Sequence, residues 1–320
     1  MERRVAVCIM GPTAVGKTDA ALALADLADV DLISVDSAMV YRGMDIGTAK
    51  PGTDVLDRYP HALIDVRDPT EPFSAADFLA GADAAVARAL DRRRLPVLVG
   101  GTMLYFKAFR DGLSTLPPAH PETRSAIEQR AANEGWKALH AELERIDPDA
   151  AARIHRNDPQ RIQRALEVFY VSGTPISEWW SSSAGTSAGE RLDCTLLEIA
   201  LSRDADLATR ISQRFDGMLE RGLVEEVSRL RAIPNLDLSR PSMRAVGYRQ
   251  VWRLLEGDLD FDAMREQAVA ATRQLARRQA TWLRNWPGLL EVDGAPVTAT
   301  ATTATRILQS LDQGRKIVRL

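Results

Sequence analysis

The segment Gly11–Thr18 carries the residue types and spacing that point most directly to chemistry. It matches the phosphate-binding pattern G-x-x-x-x-G-K-S/T. In such a loop the glycines let backbone N–H groups wrap around phosphate oxygens, and the N-terminus of the following helix adds positive potential. Lys17 supplies a charge, and the Thr18 hydroxyl is a suitable Mg²⁺ ligand. The pattern predicts diphosphate or nucleotide binding by Gly11, Pro12, Thr13, Ala14, Val15, Gly16, Lys17 and Thr18.

Asp36 and Thr102 are the second pair of candidate functional residues. Each follows a predicted strand, and in an open parallel sheet the carboxyl ends of the strands line the ligand crevice. We therefore expect both to lie beside the phosphate-binding loop, where a carboxylate can bind Mg²⁺ or accept a proton from a nucleophile. The alternative is a structural role, Asp36 as a loop or capping residue and Thr102 as the N-cap of a helix beginning at Leu104. Capping and function are compatible.

The elements around these residues predict an α/β protein. Val5–Met10 is a short apolar run typical of a buried parallel strand, and Lys17–Ala28 is rich in Ala and Leu, as helices are. Ser74 is a plausible N-cap for a long helix. Alternating strands and helices at this spacing favour a parallel sheet. Further strands are predicted at 31–35, 61–64, 95–99, 195–201 and 289–292, and further helices at 75–92, 204–221 and 264–283.

The chain changes character after Leu113. Prolines punctuate the sequence around residue 118, and from Pro121 to Trp180 only helical patterns occur. The Ser- and Gly-rich stretch 181–189 has the composition of a flexible linker. We predict a helical insertion domain over residues 116–190 within an α/β core made of residues 1–115 and 191–320.

Composition excludes several classes of protein. The chain has 320 residues, 45% of them hydrophobic and 27% charged, with a net charge of −3. This charge rules out a wholly basic nucleic-acid coat protein. The first apolar run is far shorter than the roughly 20 residues of a membrane helix, and two Cys and four His argue against a disulfide framework or a His/Cys zinc site. We expect a cytoplasmic protein that does not enter a membrane.

Seven segments follow one another in an order that is specific to one enzyme family. They span residues 11–18, 36–51, 61–65, 100–105, 158–167, 243–250 and 272–282. Together they resemble the tRNA dimethylallyltransferase (tRNA isopentenyltransferase) family, and the resemblance extends from residue 5 to about residue 286.

The resemblance implies both a fold and an activity. The fold is α/β, a P-loop kinase-like parallel sheet core with a helical insertion domain that contacts the tRNA anticodon stem-loop. The activity is transfer of a dimethylallyl group from dimethylallyl diphosphate to N6 of adenosine 37 of tRNA, next to the anticodon, with release of diphosphate. Mg²⁺ is the implied cofactor, and we expect a monomer.

The resemblance also assigns roles to residues. Asp36 would be the base on the adenine N6, Thr102 would contact the target nucleotide, and Arg214 is a diphosphate ligand by rough position only. Mg²⁺ would bind at Thr18. The family usually has Gln where Met39 stands, and Met packs against a base edge without hydrogen bonding to it. The implied tRNA contacts are Asp36, Ser37, Ala38, Met39, Thr102, Arg124, Gln160, Arg161, Ile162, Gln163, Arg164, Arg244, Ala245, Val246, Gly247, Tyr248 and Arg249.

Rows of arginines support RNA binding independently of the family. Arg273, Arg277 and Arg284 lie near one face of a predicted helix, and such rows suit phosphate contacts. The alternative is a solvated helix face. Two other functions share the phosphate-binding loop, a small-molecule or nucleotide kinase and a non-catalytic RNA-binding module. The strand before Gly100 lacks the terminal Asp that NTP-hydrolysing enzymes usually carry, which counts against the kinase.

Overall fold

The computed structural model describes residues 4–114, 116–182, 185–201, 206–292, 304–305 and 309. The chain divides into two compact units, one made of Met1–Arg110 with Ala188–Leu320 and the other of Asp111–Ser187. The second unit thus begins and ends a few residues before the predicted insertion, 116–190. The predicted linker 181–189 contains residues 183 and 184, which lie outside the described residues, and its end is helical.

The first unit is built on a six-stranded parallel sheet in the order β3-β2-β4-β1-β5-β6. This confirms the α/β fold class predicted from the sequence. The third predicted strand is shorter than 61–64 because Leu63 and Asp65 adopt positive φ angles of 67° and 54°, which turn the chain out of the sheet. The strands are β1 Val5–Met10, β2 Val30–Val35, β3 His61–Ala62, β4 Leu95–Gly100, β5 Thr195–Leu201 and β6 Leu290–Val292.

Helices cover both faces of this sheet. The helices of the first unit are α1 Lys17–Leu27, α2 Thr53–Arg58, α3 Ala75–Asp91, α4 Met103–Asp111, α10 Ala188–Leu192, α11 Leu207–Glu220, α12 Leu223–Arg231, α13 Tyr248–Leu255 and α14 Phe261–Arg284, with a 3₁₀ turn at Ser242–Arg244. Those of the second unit are α5 Pro121–Glu134, α6 Trp136–Ile146, α7 Pro148–Arg153, α8 Pro159–Ser172 and α9 Ile176–Ser182. No helix in the described ranges is both long and apolar enough to cross a membrane.

The central strand β1 shows why its sequence is apolar throughout. Cys8 belongs to the core beneath α3 and α4, whereas Val7 and Ile9 belong to the core beneath α1. Alternate side chains of a strand point to opposite faces, so a strand covered on both sides needs apolar residues at every position. The sheet is therefore a rigid support for the loops at its carboxyl edge.

Capping residues fix where several helices begin. Ser74 caps α3 as predicted, because its hydroxyl accepts a hydrogen bond from the backbone N–H of Asp77 and the Asp77 carboxylate accepts one from Ser74 in return. Asp260 caps α14, which begins before the predicted Met264. The helix predicted over 204–221 begins at Leu207, and residues 204 and 205 lie outside the described range.

The second unit is helical, with a core of its own. Ile127 of α5, Leu139 of α6 and Ile162 of α8 are buried together in one hydrophobic cluster. Trp180 packs against this cluster with the guanidinium of Arg153 over its ring, 5.6 Å from the ring centroid. The tryptophans at 179 and 180 therefore serve core packing in this unit.

Candidate active site

Strand register places the candidate residues at one edge of the sheet. Gly100 at the end of β4 pairs with Val35 at the end of β2 and with Met10 at the end of β1. The chain therefore leaves all three strands at the same level. The phosphate-binding loop, Asp36 and the Gly101–Thr102 turn begin there side by side, as the sequence predicts.

The phosphate-binding loop has the backbone shape of an anion site. Ala14 has a φ of 63° and Gly16 a φ of 92°, so the chain alternates into the left-handed region and turns successive N–H groups toward the inside of the loop. Gly16 is the N-cap of α1 and adopts its φ angle without strain. The Lys17 ammonium donates a hydrogen bond to the carbonyl of Pro12, at 2.7 Å between Nζ and oxygen, which holds the side chain across the loop.

Two adjoining cavities open at this edge of the sheet. The phosphate cavity, about 610 Å³, is lined by Lys17, Thr18, Met39, His61 and other residues. The second cavity, about 460 Å³, has both polar and apolar residues in its wall. We call it the apolar cavity after its hydrophobic side chains, which include Leu104, Phe215, Met218, Val246 and Trp282. Asp36, Arg214 and Gln279 line both. Three polar side chains therefore lie in the wall that the two cavities share.

The phosphate cavity is electrostatically prepared for an anion. Burial, reinforced by the nearby Arg214 guanidinium, lowers the pKa of Lys17 to about 7, although Asp36 acts in the opposite direction. Burial also lowers the pKa of Arg214, with the Asp36 carboxylate opposing it. Arg214 makes no hydrogen bond or ion pair with the described residues. Two partly buried basic side chains with one nearby carboxylate therefore favour an anion in this cavity.

Asp36 combines a structural bond with an available oxygen. Its Oδ1 accepts hydrogen bonds from the backbone N–H groups of Ala38 and Met39, at 2.8 and 3.2 Å. This is the loop-capping role that the sequence leaves open as an alternative. Its Oδ2 has no hydrogen-bond partner among the described residues. The bonds at Oδ1 fix the carboxylate in place, and Oδ2 remains for a ligand.

The side chain of Thr102 is bonded to the Asp36 turn and does not cap its own helix. Its Oγ1 accepts a hydrogen bond from the backbone N–H of Ser37 at 3.1 Å. Helix α4 begins at Met103, and the Thr102 carbonyl accepts the first helical bond, from the N–H of Tyr105. The side-chain cap expected for a helix beginning at Leu104 is therefore not formed among the described residues. Thr102 instead joins the turns that follow β2 and β4.

The remaining sequence-predicted residues of the first unit divide between the cavities and the core. Arg244, Ala245 and Val246 line the apolar cavity, whereas Gly247 and Tyr248 are buried and Arg249 is exposed. Met39 lies in the phosphate cavity, where its sulfur accepts a hydrogen bond from the Ser34 hydroxyl at 3.8 Å. The predicted residues Ser37, Ala38 and Thr102 all line the apolar cavity.

In the second unit, a buried carboxylate holds two of the predicted arginines. Glu167 is fully buried and accepts hydrogen bonds from the guanidinium groups of Arg124 and Arg164, at 2.8 and 2.7 Å, and from the backbone N–H of His120. Burial alone raises the pKa of Glu167, but these bonds outweigh it and bring the pKa below its ordinary value. Arg124 and Arg164 thus have a structural task in addition to any contact with RNA.

The other predicted residues of α8 point in different directions. Arg161 is well exposed, at 69% of its side-chain surface, and Gln160 is exposed beside it. Gln163 donates a hydrogen bond to Glu128 at 2.9 Å. Ile162 is fully buried in the core of this unit, so its side chain packs among helices and is not part of the surface.

The arginine row of α14 is exposed. Arg277, Arg278 and Arg284 are surface residues that make no ion pair with a described carboxylate, and Arg278 lines the apolar cavity. Arg273 is also exposed, and it donates only a weak bond to the Ser212 hydroxyl at 3.3 Å. Trp282, 38% exposed, lines the same cavity. These guanidinium groups are therefore accessible to solvent or to an anionic partner.

Two polar residues of the site were missed by the sequence analysis. Gln279 on α14 is buried between the phosphate loop and Gly101. Glu226 on α12 is buried and accepts hydrogen bonds from the backbone of Asp45, Ile46 and Gly47, and Gly47 lines the apolar cavity. A single polar residue inside an amphipathic helix carries no pattern that separates it from a surface residue, so only the structure reveals these roles.

Comparison with known proteins shows the family to which this chain belongs. Residues 39–286 match the sequence model of the family described as IPP transferase. A tRNA dimethylallyltransferase from Thioalkalivibrio sulfidiphilus is 50% identical over 97% of this chain and 96% of its own length. Another, from Thiobacillus denitrificans, is 53% identical over 90% of this chain and 91% of its own.

Solved structures show the same likeness. The structure of the tRNA isopentenylpyrophosphate transferase from Bacillus halodurans superposes with a TM-score of 0.69 at 35% identity, covering 99% of this chain and 100% of that one. A eukaryotic dimethylallyltransferase captured acting on tRNA gives a TM-score of 0.79 at 24% identity, covering 95% of this chain and 77% of that one. At that identity the second likeness concerns the fold alone.

Proposed function

This chain belongs to the IPP transferase family, and we propose that it transfers a dimethylallyl group from dimethylallyl diphosphate to N6 of adenosine 37 of tRNA, next to the anticodon. The observation that carries the proposal is the position of Asp36, which lies in the wall shared by the phosphate cavity and the apolar cavity. A diphosphate in the first cavity and a nucleobase in the second would meet at this carboxylate.

The phosphate cavity supports the donor side of the reaction. The N–H groups of the phosphate loop, the Lys17 ammonium and the Arg214 guanidinium would bind the diphosphate and stabilise the charge that it gains as a leaving group. The hydroxyl of Thr18 lines this cavity and has no hydrogen-bond partner among the described residues. No cluster of three or more His, Cys, Asp or Glu residues suited to a metal exists in the described ranges. A hydroxyl oxygen such as that of Thr18 suits Mg²⁺, because this ion is commonly held by few protein ligands and by substrate phosphates. We therefore propose Thr18 as its protein ligand, where Mg²⁺ would neutralise diphosphate charge.

Asp36 supports the acceptor side. The lone pair of the adenine N6 is delocalised into the ring, so this nitrogen is a poor nucleophile. A carboxylate oxygen that accepts an N6 hydrogen raises the electron density on nitrogen and takes the proton as the new bond forms. Oδ2 of Asp36 is available for this, and Thr102 holds the turn next to it.

The reaction balances as a substitution at the allylic carbon. The bond between C1 of the dimethylallyl group and the diphosphate oxygen breaks, and its electron pair leaves with diphosphate. The bond between C1 and N6 forms, and the displaced N6 proton moves to Asp36. The target adenine must leave the stack of the anticodon loop to reach the site.

The surface arginines support tRNA as the macromolecular partner. Arg161 in the second unit and Arg277 and Arg284 in the first are exposed cations. Among the described carboxylates only Asp158 pairs with one of them, with Arg161 at 3.4 Å. Such groups suit phosphate contacts along an RNA backbone. We propose a monomer that works in the cytoplasm.

One experiment tests the proposal and separates it from the kinase that shares the phosphate-binding loop. The protein is incubated with dimethylallyl diphosphate labelled in its alkyl group, or with ATP labelled in its γ-phosphate, each with and without bulk tRNA. We expect alkyl label in tRNA only when both substrates are present, at an adenosine beside the anticodon after nuclease digestion. Movement of the phosphate label to any acceptor, without alkyl transfer, would replace this proposal with a kinase.

A further inference from the structure

Gln279 bridges two of the loops that form the site. It lies on α14 and is 7% exposed. Its Oε1 accepts a hydrogen bond from the backbone N–H of Thr13 in the phosphate loop, at 2.9 Å, and its Nε2 donates one to the carbonyl of Gly101 after β4, at 2.8 Å. One buried amide thus joins the turn after β1 to the turn after β4.

The chemistry of the two partners fixes how this amide must point. A backbone N–H can only donate and a backbone carbonyl can only accept, so the bridge requires a donor and an acceptor on one side chain. A carboxylate lacks the donor and a hydrocarbon lacks both. The side chain is also fitted closely, since a Cβ atom at Gly101 would lie 2.4 Å from Nε2 of Gln279. A glycine at that position leaves room for the amide.

The bridge lies where the proposed reaction takes place. Thr13, Gly101 and Gln279 all line both cavities, the same wall that holds Asp36. The neighbouring Arg278 and the nearby Trp282 project from the same helix into the apolar cavity. The helix that offers these two side chains to a nucleobase therefore also holds the phosphate loop.

We propose that Gln279 is a positioning residue for prenyl transfer. It holds the phosphate loop at a fixed separation from the Gly101–Thr102 turn, so that the donor carbon and the acceptor nitrogen meet at Asp36. The proposal rests on the transferase function above. Gln279 acts through the two loops that it joins and does not touch the reacting atoms.

The first test removes both hydrogen bonds at nearly constant volume. Gln279→Met is compared with Gln267→Met, an exposed position on the same helix that lines neither cavity. Because small misplacements of reacting groups are costly, we expect kcat to fall tenfold or more and KM for dimethylallyl diphosphate to rise. The KM for tRNA should stay within about twofold. Isothermal titration of the variant with inorganic diphosphate and Mg²⁺ should give a higher dissociation constant, in line with the higher KM for dimethylallyl diphosphate.

A purely structural role predicts a different result. Gln279→Met would then lower the melting temperature and the active fraction, but kcat per folded molecule, the donor KM and the diphosphate affinity would equal those of Gln267→Met. That outcome would overturn the proposal. Absence of alkyl transfer by the wild-type protein would instead overturn the proposed function, and the diphosphate titration would still decide whether Gln279 holds the loop.

A second variant gives a readout that depends on the proton. Gln279→Glu keeps an acceptor for Thr13 but sets a carboxylate oxygen against the Gly101 carbonyl. Protonation of the introduced carboxyl restores the donor. Burial beside a carbonyl and the Asp36 carboxylate raise the pKa of this carboxyl, against the opposite effect of the Lys17 and Arg214 cations that line the same cavity. The rate of this variant, divided by the wild-type rate at each pH, should therefore rise as the pH falls from 8 to 5.5. A flat or falling ratio would overturn the bridging role.

Discussion

The Thr102 hydroxyl oxygen accepts a hydrogen bond from the backbone N–H of Ser37 at 3.1 Å, and this bond ties the turn after β4 to the turn that carries Asp36. The Asp36 carboxylate is held in place in turn, because it accepts hydrogen bonds from the backbone N–H groups of Ala38 and Met39. The carboxylate and the hydroxyl are therefore one rigid unit. A change at Thr102 should be felt at Asp36 although the two side chains are not bonded to each other.

We predict that Thr102→Val, which keeps the shape but removes the oxygen, lowers the single-turnover rate of prenyl transfer by about tenfold to a hundredfold. Thr102→Ser restores the acceptor and should retain most of the rate. Rapid-quench measurement with saturating tRNA checks this. Equal rates for the Val and Ser variants would show that the bond to Ser37 has no part in catalysis.

Because Lys17 titrates near neutral pH, we predict that the affinity of the protein for diphosphate depends on pH. With a pKa of about 7, the free protein begins to lose the Lys17 proton near neutral pH. A bound anion favours the charged form and raises that pKa, so binding above pH 7 must take up a proton. Affinity should fall as the pH rises from 7 to 9.

Titration calorimetry at pH 8, in two buffers of different ionisation enthalpy, measures the number of protons taken up. Lys17→Met is the matched control, because the ionisation of diphosphate itself is common to both proteins. We expect lower proton uptake and a shallower pH dependence in the variant. The same uptake in both proteins would place the titrating group elsewhere.

Arg161 and Arg164 should respond differently although they share a helix. Arg161 is exposed, so Arg161→Gln should weaken tRNA binding and reduce the slope of log affinity against log salt by roughly 0.7–0.9. Arg164 bonds the fully buried Glu167, so Arg164→Gln should lower the stability of the second unit by about 1.5–3 kcal/mol. Filter binding at several salt concentrations and urea unfolding measure the two effects. A normal salt slope for Arg161→Gln would remove this residue from the RNA interface.

Glu226 is predicted to stabilise the loop 45–47, which reaches the apolar cavity at Gly47. Its carboxylate accepts three backbone N–H bonds, at 2.8–3.2 Å, and one from the Tyr248 hydroxyl. Glu226→Gln sets an amide N–H₂ against donors and should lower the free energy of unfolding by about 1–3 kcal/mol. The neighbouring Glu225 is exposed, and Glu225→Gln should change it by less than about 0.5 kcal/mol. Equal stability of the two variants, measured by urea unfolding, would contradict this role.

The sequence predicted the parts of the site that follow from periodicity and from one backbone motif. Apolar runs located β1, β2 and β4, and the rule for parallel sheets then placed Asp36 and Thr102 beside the phosphate-binding loop, where the strand register puts them. Such predictions succeed because a strand buried on both faces leaves few choices of residue type. The roles of these residues in chemistry remain predictions.

The sequence could not show bonds between residues that are far apart along the chain. Gln279 and Thr13 are separated by 266 positions, and Glu226 and Tyr248 lie on different helices. Likewise, nothing in the sequence of α8 distinguishes the exposed Arg161 from Arg164, which forms an ion pair with the buried Glu167. Long-range pairing depends on how helices pack, and hydrophobic periodicity does not encode which polar side chains meet.

The last prediction concerns Asp36 itself. Asp36→Asn keeps the shape and the Oδ1 acceptor for Ala38 and Met39, but the amide cannot take a proton. Loss of a general base typically costs a factor of about 10²–10⁴ in rate. We expect a fall of that size in the single-turnover rate, with tRNA and diphosphate affinities changed only modestly and a circular-dichroism melt close to wild type. Glu226→Gln serves as the comparison, because it should lower the melting temperature but leave the rate of proton transfer in the folded molecules unchanged. If Asp36→Asn instead abolished binding of Mg²⁺ with diphosphate while the residual complex still reacted fast, Asp36 would be a metal ligand, and the base would have to be another group in the shared wall of the two cavities.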